Sequence, residues 1–138
     1  MASRDSSGRP IVARGLACRI DGEGRIRVMF REPPNLDLQR AVAAGAPIAA
    51  TFTKPYSHRS IQLKADRAEI VRPAPPDGPA AFAQTRAFRE ELVSVGYAET
   101  LASGYTRFEL HELAALEFVP ESAFVQTPGP SAGSSLSP

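Results

Sequence analysis

The sequence predicts an α+β domain, mainly β with short helices, built as a Greek-key or split β-barrel. Three observations lead to this prediction. About six segments have the length and composition of short strands, the first two are spaced as a hairpin, and a helical segment separates the last strand from the others. Such an order fits a barrel better than a doubly wound sheet, in which strands and helices alternate regularly.

The hairpin is predicted over residues 10–31. Residues 11–20 are compatible with an extended chain, residues 21–24 form a turn, and residues 25–31 alternate with the period of a strand. One face carries Ile26, Val28 and Phe30. The other face is expected to meet solvent or a ligand, and it carries Arg25, Arg27, Met29 and Arg31.

The remaining elements follow from periodicity and turn residues. A short helix is predicted after Pro33 and Pro34, ending near Gly45, followed by a buried strand over residues 48–53. Residues 57–71 read as one long strand with a β-bulge near residues 66–67, because the apolar phase slips there. An amphipathic helix is predicted over residues 80–95, a second short helix over 97–105, and a closing strand over 108–118.

Chain length indicates one split-barrel domain over residues 1–127 and a Gly/Ser/Pro-rich tail over residues 128–138. Residues 131–138 contain almost nothing to bury, so we expect them to be disordered.

The composition excludes several classes of function. Sixteen basic and fifteen acidic side chains nearly cancel without forming a block of like charge, so neither a nucleic acid nor a membrane is an expected partner. Cys18, His58 and His111 are too few for an intrachain disulfide or a closed zinc site, and no metal is expected. With a polar N-terminus and no apolar run of ~20 residues, the expected location is the cytoplasm.

Motifs for familiar enzyme chemistry are also missing. Gly22 and Gly24 lie in the hairpin turn and do not lead into a helix, so they do not form a phosphate-binding loop. The sequence contains no Gly-x-Ser-x-Gly elbow, and the adjacent Glu90 and Glu91 point to different sides of a helix. We interpret His58 and His111 as surface or dimer-interface residues, and we assign no catalytic residue.

One stretch, residues 51–64, combines two strands with a proline-broken corner and carries hydroxyls, a guanidinium and an amide at close spacing. Cationic and hydroxyl donors suit the phosphate of flavin mononucleotide (FMN), and amide or backbone groups suit the edge of its ring. A polar strand exterior would explain the same spacing equally well.

Residues 52–64, read as Phe-Thr-Lys-Pro-Tyr-Ser-His-Arg-Ser-Ile-Gln-Leu-Lys, resemble the strand pair of pyridoxamine 5′-phosphate oxidase-like flavoproteins. Residues 124–133 resemble the Gln-Thr-Pro-Gly-Pro-x-Ala-Gly ending of small members of that family, and residues 5–10 with Arg14 resemble their first hairpin. The resemblance implies a six-stranded split barrel, a homodimer with two equivalent clefts between the subunits, and noncovalently bound FMN.

The resemblance also implies site residues. Arg59, Ser60 and Gln62 are expected to contact the flavin, with Thr53 and Ser57 on the adjoining corner, and the turn at residues 126–129 is expected to pack near the cleft. The family binds phosphate with a Ser-Arg-Lys cluster, where this chain has residues 34–38 with the acidic Asp37. Asp37 would repel a phosphate, so Arg31 or Arg40 is the expected substitute.

The function implied is that of an FMN-binding flavoprotein, and an FMN-dependent oxidoreductase acting on an unknown small molecule lies within that class. Two alternatives stay open. One is a non-catalytic split barrel that has lost FMN and binds another ligand or a partner, which Asp37 favours. The other is a relative that binds heme or a deazaflavin, which the fold supports by analogy alone.

Overall fold

The computed structural model describes residues 1–136 of the 138 in the sequence. In this part of the chain, nine strands and three α-helices are present. In chain order they are β1 (Ala2–Arg4), β2 (Pro10–Val12), β3 (Gly15–Ile20), β4 (Ile26–Arg31), α1 (Leu36–Ala43), β5 (Ile48–Thr53), β6 (Ser60–Ala65), β7 (Glu69–Val71), α2 (Asp77–Ser94), α3 (Glu99–Thr106), β8 (Leu113–Phe118) and β9 (Ser122–Val125).

The strands form two antiparallel sheets. The first sheet has the order β2-β1-β5-β6-β9 and the second has the order β3-β4-β8-β7. Their inner faces enclose one apolar core, in which Phe30, Leu116 and the α1 residue Leu38 are completely buried. Within residues 1–136, none of the helices has the length and apolar character that crossing a membrane requires.

Strand β4 is buried on both faces around Met29, which differs from the prediction. Ile26, Val28 and Phe30 face the main core as expected. Met29, on the face expected to meet solvent or a ligand, is completely buried in a second apolar cluster beneath α2. The difference arises because α2 packs on this sheet, which period-2 alternation within one strand cannot reveal.

Several strand boundaries also differ from the sequence prediction because the chain changes sheets there. The segment 11–20 divides into β2 in the first sheet and β3 in the second. The predicted bulge near residues 66–67 is the crossing from β6 to β7, which lie in different sheets. The predicted strand 108–118 is regular only from Leu113, after a 3-10 turn at Leu110–Glu112.

The C-terminal segment is more ordered than expected. Gly133 donates a backbone hydrogen bond to Val125 at 2.7 Å, Val125 donates to Ser134 at 2.9 Å, and Leu136 donates to Ala123 at 2.8 Å. Residues 133–136 therefore lie along the outer edge of β9 and pair with it. Backbone pairing supplies the order here, which composition cannot indicate. The last two residues of the predicted disordered tail lie outside the described part of the chain.

Candidate functional site

The main cleft lies where the two sheets separate, between the edges of β3 and β5, and α2 closes one side of it. Its volume is about 820 Å³. Helix α2 presents one face to it, spaced as successive helical turns. The side chains on that face are Gln84, Ala87, Phe88 and Glu91. Apolar groups from the strands complete the walls, chiefly Leu16, Val28, Ala50 and Phe52.

The edge of β5 facing this cleft carries backbone groups without a strand partner among the described residues. The N–H of Lys54 donates to the carbonyl of Arg59 at 2.9 Å, which makes this a hydrogen-bonded pair of the β5–β6 ladder. Hydrogen-bonded and non-hydrogen-bonded pairs alternate along an antiparallel ladder. Thr53 and Thr51 lie one and three positions before Lys54, so they belong to non-hydrogen-bonded pairs and direct their backbone N–H and C=O groups away from β6. Strand β1 pairs with β5 at Ala49 alone. Backbone donors and acceptors of Thr51 and Thr53 therefore face the cleft.

The opposite wall is the edge strand β3, whose outward backbone groups are paired at Cys18. Gln84 on α2 accepts a hydrogen bond from the N–H of Cys18 at 2.9 Å and donates one to the carbonyl of Cys18 at 2.7 Å. The side-chain amide thus acts as one residue of an additional strand. It protects this edge of β3 and fixes the distance between α2 and the sheet.

Two cationic side chains stand beside the cleft. The guanidinium of Arg14 lies 3.9 Å from the centre of the Tyr105 ring. The ammonium of Lys54 lies 3.9 Å from a carboxylate oxygen of Glu91, and both side chains are partly exposed. At that distance the ion pair is weak, so Lys54 can turn toward an anionic ligand.

Two residues with sulfur-bearing side chains, Met1 and Cys18, also belong to the cleft lining. Burial raises the pKa of the Cys18 thiol, which favours the neutral form. The N-terminal ammonium of Met1 donates to the carbonyl of Ala13 at 2.7 Å, and burial lowers its pKa. This hydrogen bond holds the first residue against the link between β2 and β3.

Three of the predicted flavin contacts lie together, but on the outer face of the first sheet. Ile48, Ala50 and Phe52 point into the core, so Thr51 and Thr53 point outward. The hydroxyls of Thr53 and Ser60 are 2.9 Å apart, and the amide of Gln62 donates to the Thr51 hydroxyl at 3.1 Å. We call Thr51, Thr53, Ser60 and Gln62 the outer stripe.

The C-terminal turn packs against this stripe. The N–H of Ser60 donates to the Thr127 hydroxyl at 2.9 Å, and the N–H of Gln126 donates to the carbonyl of Ser60 at 2.8 Å. Ser60 is buried and its hydrogen-bonding groups are engaged within the chain. The predicted residues Ser57 and Arg59 lie on the exposed β5–β6 turn, and neither lines the cleft.

Arg31 lies in the other sheet from the remaining predicted site residues. Its guanidinium binds the carboxylate of Glu112 through two hydrogen bonds of 2.8 and 3.0 Å. These bonds raise the pKa of Arg31 and lower that of Glu112. Glu112 therefore already neutralises the charge of Arg31, and Arg31 is not among the cleft residues.

Asp37, His58 and His111 are exposed and do not line the cleft. Asp37 is exposed at the start of α1 and pairs with Arg40 at 3.2 Å, so its charge does not face the cleft. His58 is exposed with a φ of 54°, and its carbonyl accepts a hydrogen bond from Ser60. His111 is exposed in the 3-10 turn before β8. Both histidines lie at the surface of the chain.

Comparisons with known proteins bear on the fold. The chain matches no protein-family model and no curated protein. It is similar to HupZ of group A Streptococcus, known from a crystal structure, with a TM-score of 0.54 and 14% identity over 96% of this chain and 86% of that chain.

At such low identity the similarity shows the fold alone. The predicted class, a split barrel of mainly β structure with short helices, is confirmed. The FMN-binding family within this class remains a prediction.

Proposed function

We propose that the protein is a ligand-binding split barrel whose cleft takes a flat, conjugated cofactor with an anionic group, and that a flavin is the first candidate. The observation that carries this proposal is the free edge of β5, where backbone groups of Thr51 and Thr53 face an apolar cleft beside Arg14 and Lys54. We propose binding and assign no reaction to the chain's own side chains.

The cleft fits the three parts of FMN. Phe52, Phe88 and the aliphatic wall residues suit the faces of an aromatic ring. The pyrimidine edge of a flavin carries carbonyl acceptors on either side of an N–H donor, which is the kind of partner that an open strand edge accepts. Arg14 and Lys54 supply the cations for the phosphate. Bound FMN would bring hydride or electron transfer, which is the chemistry of the cofactor itself.

Heme is the second candidate, and the sulfur atoms favour it. Met1 and Cys18 both line the cleft, and a thioether sulfur, or a cysteine sulfur that loses its proton on binding, can ligate heme iron. The cations that suit a phosphate also suit the carboxylates of a porphyrin. However, a porphyrin has no edge of donors and acceptors for Thr51 and Thr53, so we place it after the flavin.

We propose that the protein forms a homodimer through the outer face of the first sheet. Thr51, Thr53 and Lys64 are exposed on this face, and Val12 at its margin is 82% exposed. A partner copy would cover this surface and bring the outer stripe close to a second cleft. Light scattering at micromolar concentration should give the mass of two chains, and the mass of one chain would refute the dimer.

Absorption spectroscopy tests the ligand class. The protein is incubated with FMN in one sample and hemin in another, and each is desalted before its visible spectrum is recorded. Retained flavin bands with no retained hemin support the first candidate, and the reverse result supports the second. If neither FMN nor hemin is retained after desalting, the cleft does not bind a cofactor tightly, and the proposal is contradicted.

A further inference from the structure

A second pocket lies on a different face of α2 from the cleft, and three arginines surround it. Arg86 and Arg89 occupy successive turns of α2, and Arg107 follows the end of α3. The pocket has a volume of about 420 Å³. Its other lining residues are neutral: Phe82, Thr85, Ser103, Gly104, Thr106 and Phe108. We call this set the arginine pocket.

The carboxylates near these arginines hold them weakly. Arg86 is 3.9 Å from Glu90 and Arg89 is 4.0 Å from Glu99, both beyond the length of a good hydrogen bond. Arg107 is exposed, and no carboxylate within residues 1–136 forms a salt bridge with it. Exposed ion pairs of this kind contribute little free energy, so an incoming anion can replace them.

An aromatic pair forms part of the same pocket. The rings of Phe82 and Phe108 lie 4.8 Å apart between centroids at an angle of 33°. Phe108 is buried, but Phe82 is 51% exposed and lines the pocket together with the three arginines. An exposed aromatic ring beside several arginines favours a ligand that has both a flat ring and a negative charge.

We propose that the arginine pocket binds a small phosphate monoester carrying an aromatic ring, of the size of a nucleoside monophosphate. Planar guanidinium groups match phosphate oxygens with paired hydrogen bonds, and all three arginines line this one pocket. Phe82 then stacks on the ring. The Ser103 hydroxyl, which now donates to Glu99 at 3.2 Å, can turn to the phosphate. This site is separate from the cleft and does not depend on the function proposed there.

Calorimetric titration with adenosine 5′-monophosphate, inorganic phosphate and adenosine tests the proposal on the full chain. The nucleotide should bind more tightly than phosphate, and adenosine should bind weakest. Arg107→Gln should weaken nucleotide binding by at least about tenfold, because a charge-assisted contact is lost. Phe82→Leu should bring the nucleotide's affinity down toward that of phosphate.

Two controls make the result decisive. Arg40→Gln removes another exposed arginine, on α1, and should leave nucleotide affinity unchanged. Lys54→Gln, which removes a cation of the cleft, should also leave it unchanged; a loss in Lys54→Gln without one in Arg107→Gln would show that the nucleotide binds in the cleft and would overturn the proposal. No detectable nucleotide binding at low salt, or an equal loss in Arg107→Gln and Arg40→Gln, would overturn the proposal. Equal affinities for phosphate and nucleotide would overturn the claim that Phe82 stacks on an aromatic ring of the ligand.

Discussion

Replacing Asp77 by asparagine is expected to lower the free energy of unfolding by about 3–5 kcal/mol. Asp77, the first residue of α2, is completely buried. One carboxylate oxygen accepts from Arg19 at 3.0 Å, and the other accepts from Arg27 at 2.8 Å and from the N–H of Ala74 at 2.7 Å. Removing its charge leaves the two arginines without their shared partner and loosens the start of α2 from β3 and β4.

The lowered pKa of Asp77 also makes the stability of the fold depend on pH. Burial raises the pKa of Asp77, but hydrogen bonds from Ala74, Arg19 and Arg27 outweigh that effect and lower it below its ordinary value. A lowered pKa in the folded state contributes stability above the unfolded-state value of about 4, and this stability is lost as the pH falls. The wild type should therefore lose stability steeply in acid, and Asp77→Asn should lose less.

Urea denaturation at neutral pH, and again from about pH 5 to about pH 2, measures both effects. Asp37→Asn is the matched control, because Asp37 is exposed and its pair with Arg40 contributes less than about 1 kcal/mol. Equal destabilisation by the two substitutions would show that the buried ion pairs do not hold α2 in place.

The double substitution Arg14→Gln and Lys54→Gln is expected to weaken FMN binding by about 10- to 100-fold. Both cations stand beside the cleft, and their present partners hold them weakly. Riboflavin, which has the same ring without the phosphate, should lose little affinity. The difference in affinity between FMN and riboflavin should shrink at high salt, because exposed charges are screened.

Fluorescence titration of the flavin measures these affinities, with Arg67→Gln as the control. Arg67 is exposed between β6 and β7 and does not line the cleft. Arg59→Ala tests the site that the family resemblance implies. A large loss in Arg59→Ala together with no loss in the double variant would place the phosphate at the β5–β6 turn instead of the cleft.

Local patterns predict the elements of this fold better than their arrangement. The helices α1 and α2 and the strand β5 follow from periodicity and from flanking Pro and Gly residues, and the structure contains all three. The division of strands between two sheets depends on pairing across long stretches of sequence. For this reason one predicted strand becomes β2 and β3, and another becomes β6 and β7.

The candidate site is harder to predict for the same reason. Thr53, Ser60 and Gln62 come together because they lie on adjacent strands joined by a short turn. Cleft residues such as Gln84 and Tyr105 come from helices far along the chain, and no local motif marks them. The partner of Arg31 could not be foreseen either, because Glu112 is 81 positions away.

The central claim, that a flavin pairs with the free edge of β5 inside the cleft, is tested most directly by amide NMR spectra during FMN addition. We predict that the largest shifts and the greatest slowing of hydrogen exchange occur at the N–H groups of Thr51 and Thr53, since these face the cleft. Gln62, whose N–H lies within the sheet, should change little. Shifts concentrated at Arg59 and Ser60, with Thr51 and Thr53 unchanged, would contradict the claim.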